Sequence, residues 1–429
     1  MGGADGGTGG GRLLALAARA LPPGPAGRRL VLLALVDAVG TGLFLAGSVL
    51  FFTRVIGLST GQIGLGLSLA GVASFVSLVP LGVLADRWGA QPTLVALQAW
   101  RALWFAAYAF VPGMAGFLVV AIALGVAERP TVPITQAVVG AAVRPTERVR
   151  TLAIMRSVRN VGFSLGAVLA TLVIAADTAP VYRLLVLANA VSFAVAAVLL
   201  ARLRLPTRPR AARRPSPGRA LRSFRDGGYV LLAACNGVLY LHTLLLAVAI
   251  PLWITEHTAV PAVTVGLVVL LNTVLAVVLQ VPLSRGADAP AVAGRRQFQA
   301  GVALAACCVL LVLTGEASAA AGVPLVLGAT VALTLGEIWQ SAGGWGLSYE
   351  YAPEDRRSAY LSVYNLGAST ATIVGPALLT SAVVDQAAPG WLGLAAGFLA
   401  FGAAVPLLVR RRTGRARPVP DPPPPPRRS

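Results

Sequence analysis

Apolar residues run along this chain in blocks of about twenty, the length an α-helix needs to cross a bilayer, separated by short polar or charged joints. The pattern predicts helices over 30–52, 62–84, 92–112, 116–140, 153–175, 181–201, 229–253, 263–284, 297–315, 320–347, 358–382 and 390–409. The shortest run, 297–315, has the least sharply marked edges. Within most blocks the apolar residues occupy nearly every face, so the pattern sets helix length and leaves helix rotation open. The expected fold is an all-α membrane protein of twelve transmembrane helices.

Composition agrees, with 56% of the 429 residues hydrophobic and only 12% charged, far from the balance of a water-soluble domain. The formal charge of +19 raises the question of nucleic acid, whose partners carry basic stripes. Position argues against it. Nine arginines between Arg202 and Arg225, seven more from Arg410 to Arg428, and those of the joints 141–152, 285–296 and 348–357 lie on joints of one parity. The other parity carries Asp177, Glu256, Glu316 and Asp385, with Arg54 the exception. The positive-inside rule then puts both termini in the cytoplasm, as an even number of spans requires, and leaves the arginines to set orientation and to touch anionic lipid. All thirty-five basic residues are arginine, a bias of an Arg- and Ala-rich bacterial proteome, so the expected location is a bacterial cytoplasmic membrane. Cys235, Cys307 and Cys308 fall inside predicted helices and read as small buried residues. The short apolar run near the N-terminus leads through Arg28 and Arg29 into the first helix, which favours a cytoplasmic extension over a signal peptide.

The arginine- and proline-rich stretch divides the chain. The expected organisation is an N-terminal extension over 1–29, a six-helix half over 30–201, a linker over 202–227, a second six-helix half over 228–409 and a tail over 410–429. Like charges and prolines disfavour compact structure in the linker, with a short amphipathic piece near Leu221 to Phe224 suited to the membrane surface. The halves echo each other. ALGVAE at 123–128 overlays ALTLGE at 332–337, Pro145 to Arg148 overlays Pro353 to Arg356, and Asn160 with Gly162 answers Asn365 with Gly367. Such repeats, with a site between them at mid-membrane, suit a transporter in which one half rocks against the other.

At the end of the second block stands Gly82-Val-Leu-Ala-Asp86-Arg87-Trp88-Gly89. Gly82 permits close helix approach, Gly89 suits a tight turn, and Asp86 is an anion able to face a helix N-terminus. Here the chain resembles the major facilitator superfamily, and the resemblance covers the whole transmembrane region. It implies that Asp86, with Gly82, Arg87 and Gly89, forms a conformational switch by meeting the start of helix eleven near Arg357 and Ser358. Two features depart from the family pattern. Ala90-Gln91-Pro92 stands where basic residues are expected, and the matching loop SRGADAPAVAGRRQ is too degraded to mark a second latch. In helix five, Gly162 and Gly166 keep a close-packing step without the Gly-Pro pattern of drug:proton antiporters.

Three of the sixteen acids fall well inside predicted helices: Asp37, Glu128 and Glu337. A charge at the membrane centre costs roughly 2.5–3.5 kcal/mol on insertion scales, so each is expected to face a cavity, pair with a base or take a proton. Arg101 in helix three is the expected base for the first half. Glu337 has no base in its own helix, which marks it as the acid most able to titrate. These four residues are the candidate proton- or substrate-binding set, and Trp104, His242 and Trp339 are candidate cavity-lining residues. The motifs of a metal site, phosphate loop or nucleophile elbow are not seen, so no enzyme activity, metal or cofactor is expected. The reading is a monomeric secondary transporter of a small molecule, proton-coupled and exporting an amphipathic compound. A proton symporter or facilitator importing a small nutrient, and a transporter-like sensor or assembly protein without flux, are the alternatives.

Overall fold

The computed structural model describes residues 22, 24–175, 177–205 and 222–413. The extension through residue 21, the middle of the linker and the tail beyond 413 lie outside the described residues.

Helices make up the described chain. The first six are α1 Pro25–Leu50, α2 Thr60–Trp88, α3 Ala90–Tyr108, α4 Gly113–Ala142, α5 Arg148–Ile174 and α6 Ala179–Ala201. The last six are α7 Gly227–His257, α8 Thr264–Leu283, α9 Pro290–Thr314, α10 Ala319–Glu350, α11 Arg357–Leu379 and α12 Ala387–Thr413. Among the described residues, eleven helices are long and apolar enough to cross a membrane. The helix outside that set is α3, which spans 19 residues and carries Gln91, Gln98 and Arg101. Twelve expected blocks thus become eleven plus one less apolar helix held among α2, α4 and α6. The run placed at 297–315 belongs to a helix that begins earlier, at Pro290, because a proline at the first helical position needs no amide partner.

The two sets of six pair alike. α1 packs on α5 and α6, α2 on α4, and α3 on α6; correspondingly α7 packs on α11 and α12, α8 on α10, and α9 on α12. Between the sets, α2 and α4 meet α11, while α5 meets α8 and α10. In lipid, apolar burial does not drive helices together, so close backbone approach must. Gly162 and Gly166 supply it for α5 on α1: a Cβ at Gly166 would stand 2.3 Å from the Val39 carbonyl oxygen, and one at Gly162 would stand 2.8 Å from the Ala38 Cβ.

Proline interrupts the backbone hydrogen-bond ladder in two helices near the polar clusters. Pro130 has no amide for the Val126 carbonyl, and the Ser77 hydroxyl of α2 supplies the missing donor at 2.8 Å. This repair lies two residues from Glu128. In α7, regular helix stops at Leu239, resumes over His242–Leu244, widens into a π-turn over Leu245–Ala249 and continues as Ile250–His257. Pro251 stands two residues past that π-turn, and its missing amide breaks the regular ladder there.

Candidate functional site

Two polar clusters lie inside the bundle. In the first six helices, Gln98 and Arg101 stand three residues apart on one face of α3 and turn toward α1. Arg101 Nη1 donates to Asp37 Oδ1 at 3.3 Å and to Gln98 Oε1 at 3.1 Å, while Gln98 Nε2 donates to Asp37 Oδ1 at 3.4 Å. The guanidinium also lies 3.8 Å from the Phe193 ring centroid on α6. Asp37 sits twelve residues past the start of α1 at Pro25, about 18 Å along the axis and deeper than the sequence pattern placed it, because α1 begins before residue 30. Arg101 therefore serves Asp37. Glu128, the other acid expected well inside a helix of this half, has no ion pair among the described residues and is exposed.

The second cluster crosses between the halves. Arg156 on α5 forms an ion pair with Glu337 on α10, both side chains largely buried. Asn272 on α8 donates to Glu337 Oε2 at 2.9 Å and to the Thr334 hydroxyl at 3.0 Å. The expectation of an unpaired Glu337 is corrected here: its base comes from another helix in the other half. Arg156 and Arg159 both fall inside the block read as 153–175, and arginines in a spanning block are the signal that marks them. A separate set of side-chain amides lies in the second half. Gln340 Nε2 and Gln297 Nε2 donate to Asn236 Oδ1 at 2.8 and 3.2 Å, and Gln340 Oε1 lies 3.3 Å from His242 Nε2. His242 is 1% exposed, so it is a core residue at the break in α7 and not a liner of open space. Trp104 and Trp339 are partly buried against the apolar cores of their own halves.

The two halves are locked at one end. Asp86, at the end of α2, accepts from the Ser358 and Ala359 amides at 2.8 and 2.9 Å, where α11 begins. An acid there satisfies two helix-terminal donors and complements the positive end of the helix dipole. Gly82 makes the approach possible, since a Cβ there would stand 2.2 Å from the Ser362 Oγ. Gly89 turns the chain with φ of 104°, a conformation that favours glycine. Arg87 is exposed beside Asp86.

A second contact of the same kind faces the first. Asp288, in the loop between α8 and α9, accepts from the Val149 amide at 3.0 Å, in the first turn of α5. The degraded loop thus does hold an acid on a helix N-terminus, which motif matching missed because Asp288 stands in an altered context. Burial pushes the Asp288 carboxyl above the ordinary range, against the Val149 hydrogen bond and the nearby Arg148. Tyr349 on α10 adds a hydrogen bond to the Gln136 carbonyl of α4. The Asp86, Asp288 and Tyr349 contacts lie at the end of the bundle that carries the turns after α2, α4, α8 and α10, whereas the Arg156–Glu337 pair lies farther along the helices. At the opposite end Arg54, the exception among the acidic joints, pairs with Asp177.

Comparison with known proteins follows the fold. A family model described as Major Facilitator Superfamily matches residues 30–247 and 232–429. A bacterial homologue of the iron transporter ferroportin, solved in an outward-facing state, is similar with a TM-score of 0.69 at 18% identity, covering 91% of this chain and 100% of that one. The transporter FucP in its outward conformation has a TM-score of 0.67 at 16% identity, covering 90% and 98%. The human organic anion transporter MFSD10 gives 0.57 at 17% identity, covering 90% and 99%. At these identities the likeness is one of fold. Sequence comparison with curated proteins finds no match.

Proposed function

The chain belongs to the Major Facilitator Superfamily, and from that premise we propose that it is a proton-coupled secondary transporter exporting a small amphipathic organic compound by alternating access. The observation that carries the reading is the Arg156–Glu337 pair, which joins the two halves across the middle of the bundle. A carboxylate held there has two states with opposite consequences. Ionised, it binds Arg156 and helps keep one end shut; protonated, it releases Arg156 and weakens that closure.

The arginine-rich joints lie at the shut end, so by the positive-inside rule that end is cytoplasmic and the conformation faces outward. In this reading α3 is a twelfth span, the halves are 30–201 and 228–409, both termini are cytoplasmic and the protein sits in a bacterial cytoplasmic membrane. The polar residues of α3 are tolerable because Arg101 and Gln98 are spent on Asp37. A proton arriving from outside neutralises Glu337, Arg156 lets go, the Asp86 and Asp288 contacts part, and the site opens inward. There Glu337 loses its proton to the cytoplasm and substrate loads before the halves close again.

The test is uptake into inverted membrane vesicles of fluorescent organic compounds spanning cationic, neutral and anionic forms. Accumulation is expected to need a proton gradient and to be lost in Glu337→Gln. Uptake that survives collapse of the gradient, or full activity in Glu337→Gln, refutes proton coupling through this residue.

A further inference from the structure

Of the charges within the helices of the bundle, Asp37 with Arg101 and Glu337 with Arg156 satisfy each other. Two exposed ones do not. Glu128 on α4 and Arg159 on α5 are both exposed, and neither side chain hydrogen-bonds or ion-pairs with another described residue. Both nevertheless lie close enough to Arg101 for their charges to act on it. A charge at this depth faces water in a cavity and not lipid.

Helix geometry gives the facing. On α5, Arg159 lies three residues past Arg156, which meets α10, and three before Gly162, whose missing Cβ admits α1. It therefore points into the gap between α1 and α10, with its guanidinium 5.5 Å from the Phe163 ring centroid. On α4, the face carrying Gly125 packs against Ala70 of α2. Arg129, four residues on, donates its amide to the Ser74 hydroxyl of α2 and is partly buried, whereas Glu128 is exposed. Glu128 and Arg159 are thus exposed opposite charges, both near Arg101 and neither hydrogen-bonded nor ion-paired to another described residue.

Opposite charges exposed on α4 and α5, both near Arg101, that do not meet leave room for a ligand between them. We infer that Glu128 and Arg159 form a zwitterion subsite, Arg159 taking a carboxylate or similar anion, Glu128 taking an ammonium, and Phe163 packing on the apolar body. The inference rests on the transporter reading and names its substrate class: a small amphipath carrying both charges, of the amino-acid type. A zwitterion brings both complements at once and leaves the cavity neutral, which a simple cation or anion does not.

The test is binding to the purified full-length protein in nanodiscs, so it does not depend on flux: loss of transport with binding intact sinks only the transport reading. The probes share one aromatic body: phenylalanine, phenylalaninamide, which lacks the carboxylate, and N-acetylphenylalanine, which lacks the ammonium. Saturable quenching of tryptophan fluorescence reports binding. Phenylalanine is expected to bind about tenfold to a hundredfold tighter than either analogue, the scale of one charged hydrogen bond. Arg159→Gln should abolish the preference over the amide, Glu128→Gln the preference over the N-acetyl form, and Arg159→Lys should keep both, which separates charge recognition from misfolding. Equal binding of all three probes, or no binding of phenylalanine to the parent protein, overturns the assignment.

Discussion

Replacing Arg156 by methionine keeps side-chain length and removes the charge that faces Glu337. Both side chains are mostly buried, at 23% and 12% exposure, so solvent screens the pair little. Removing one partner of a buried pair costs roughly 3–5 kcal/mol. Neutralising an ordinary carboxyl with a pKa of about 4.3 at pH 7.5 costs about 4 kcal/mol, and protonation caps the penalty near that value. The cost falls on the conformation in which α5 and α10 touch, so Arg156→Met should favour opening of the shut end by about a hundredfold to a thousandfold at pH 7.5. At pH 5.5 the same cap drops to about 1.6 kcal/mol, and the effect should shrink to about fifteenfold. Adding Glu337→Gln removes the stranded acid and should return the population most of the way to the parent. The assay is pulsed electron spin resonance between labels at Thr146 and Asp355, exposed loop residues of the two halves at the shut end. A distance distribution unchanged by Arg156→Met, or a double variant more open than the single one, refutes the argument.

Further outcomes follow from the contacts at the shut end. Asp86→Ala removes the acceptor of two α11 amides and should open that end by about 1–3 kcal/mol, read by the same labels. Gly82→Val places atoms where Ser362 Oγ lies 2.2 Å from a Cβ, and should open it by a comparable ~1–3 kcal/mol while leaving expression near parental. Asp288 carries a carboxyl raised by burial, with Arg148, Glu147 and the α5 amides around it. An acid whose pKa is higher in the closed form than in the open one binds its proton more tightly when closed. Lowering pH from neutral toward that raised value should therefore favour closure, and Asp288→Asn should remove this part of the pH dependence. A distance distribution in Asp288→Asn that keeps the parental pH response counts against that sign. Arg101→Gln strands Asp37 beside Gln98 and should lower the melting temperature in detergent, with Asp37→Asn/Arg101→Gln recovering much of the loss.

Residue type and order alone carried a good deal. Apolar blocks of spanning length marked the helices, since lipid demands that every backbone amide be satisfied within its own segment. The motif from Gly82 to Gly89 marked a tight, charged turn, and the acids inside apolar blocks stood out because nothing in lipid solvates them. Those signals are local, and they were legible. The tertiary structure decided what each charge faces. Helices apolar nearly all round have no rotation readable from sequence, so Arg156 gave no sign of reaching Glu337 from the other half, and Arg101 gave none of choosing Asp37 over Glu128. Asp288 caps α5 from a loop whose motif has decayed, because a helix N-terminus needs one well-placed acceptor and not a consensus. Partners brought from separate helices arise only when the bundle packs, and it is those pairings that separate a satisfied charge from one left facing the cavity.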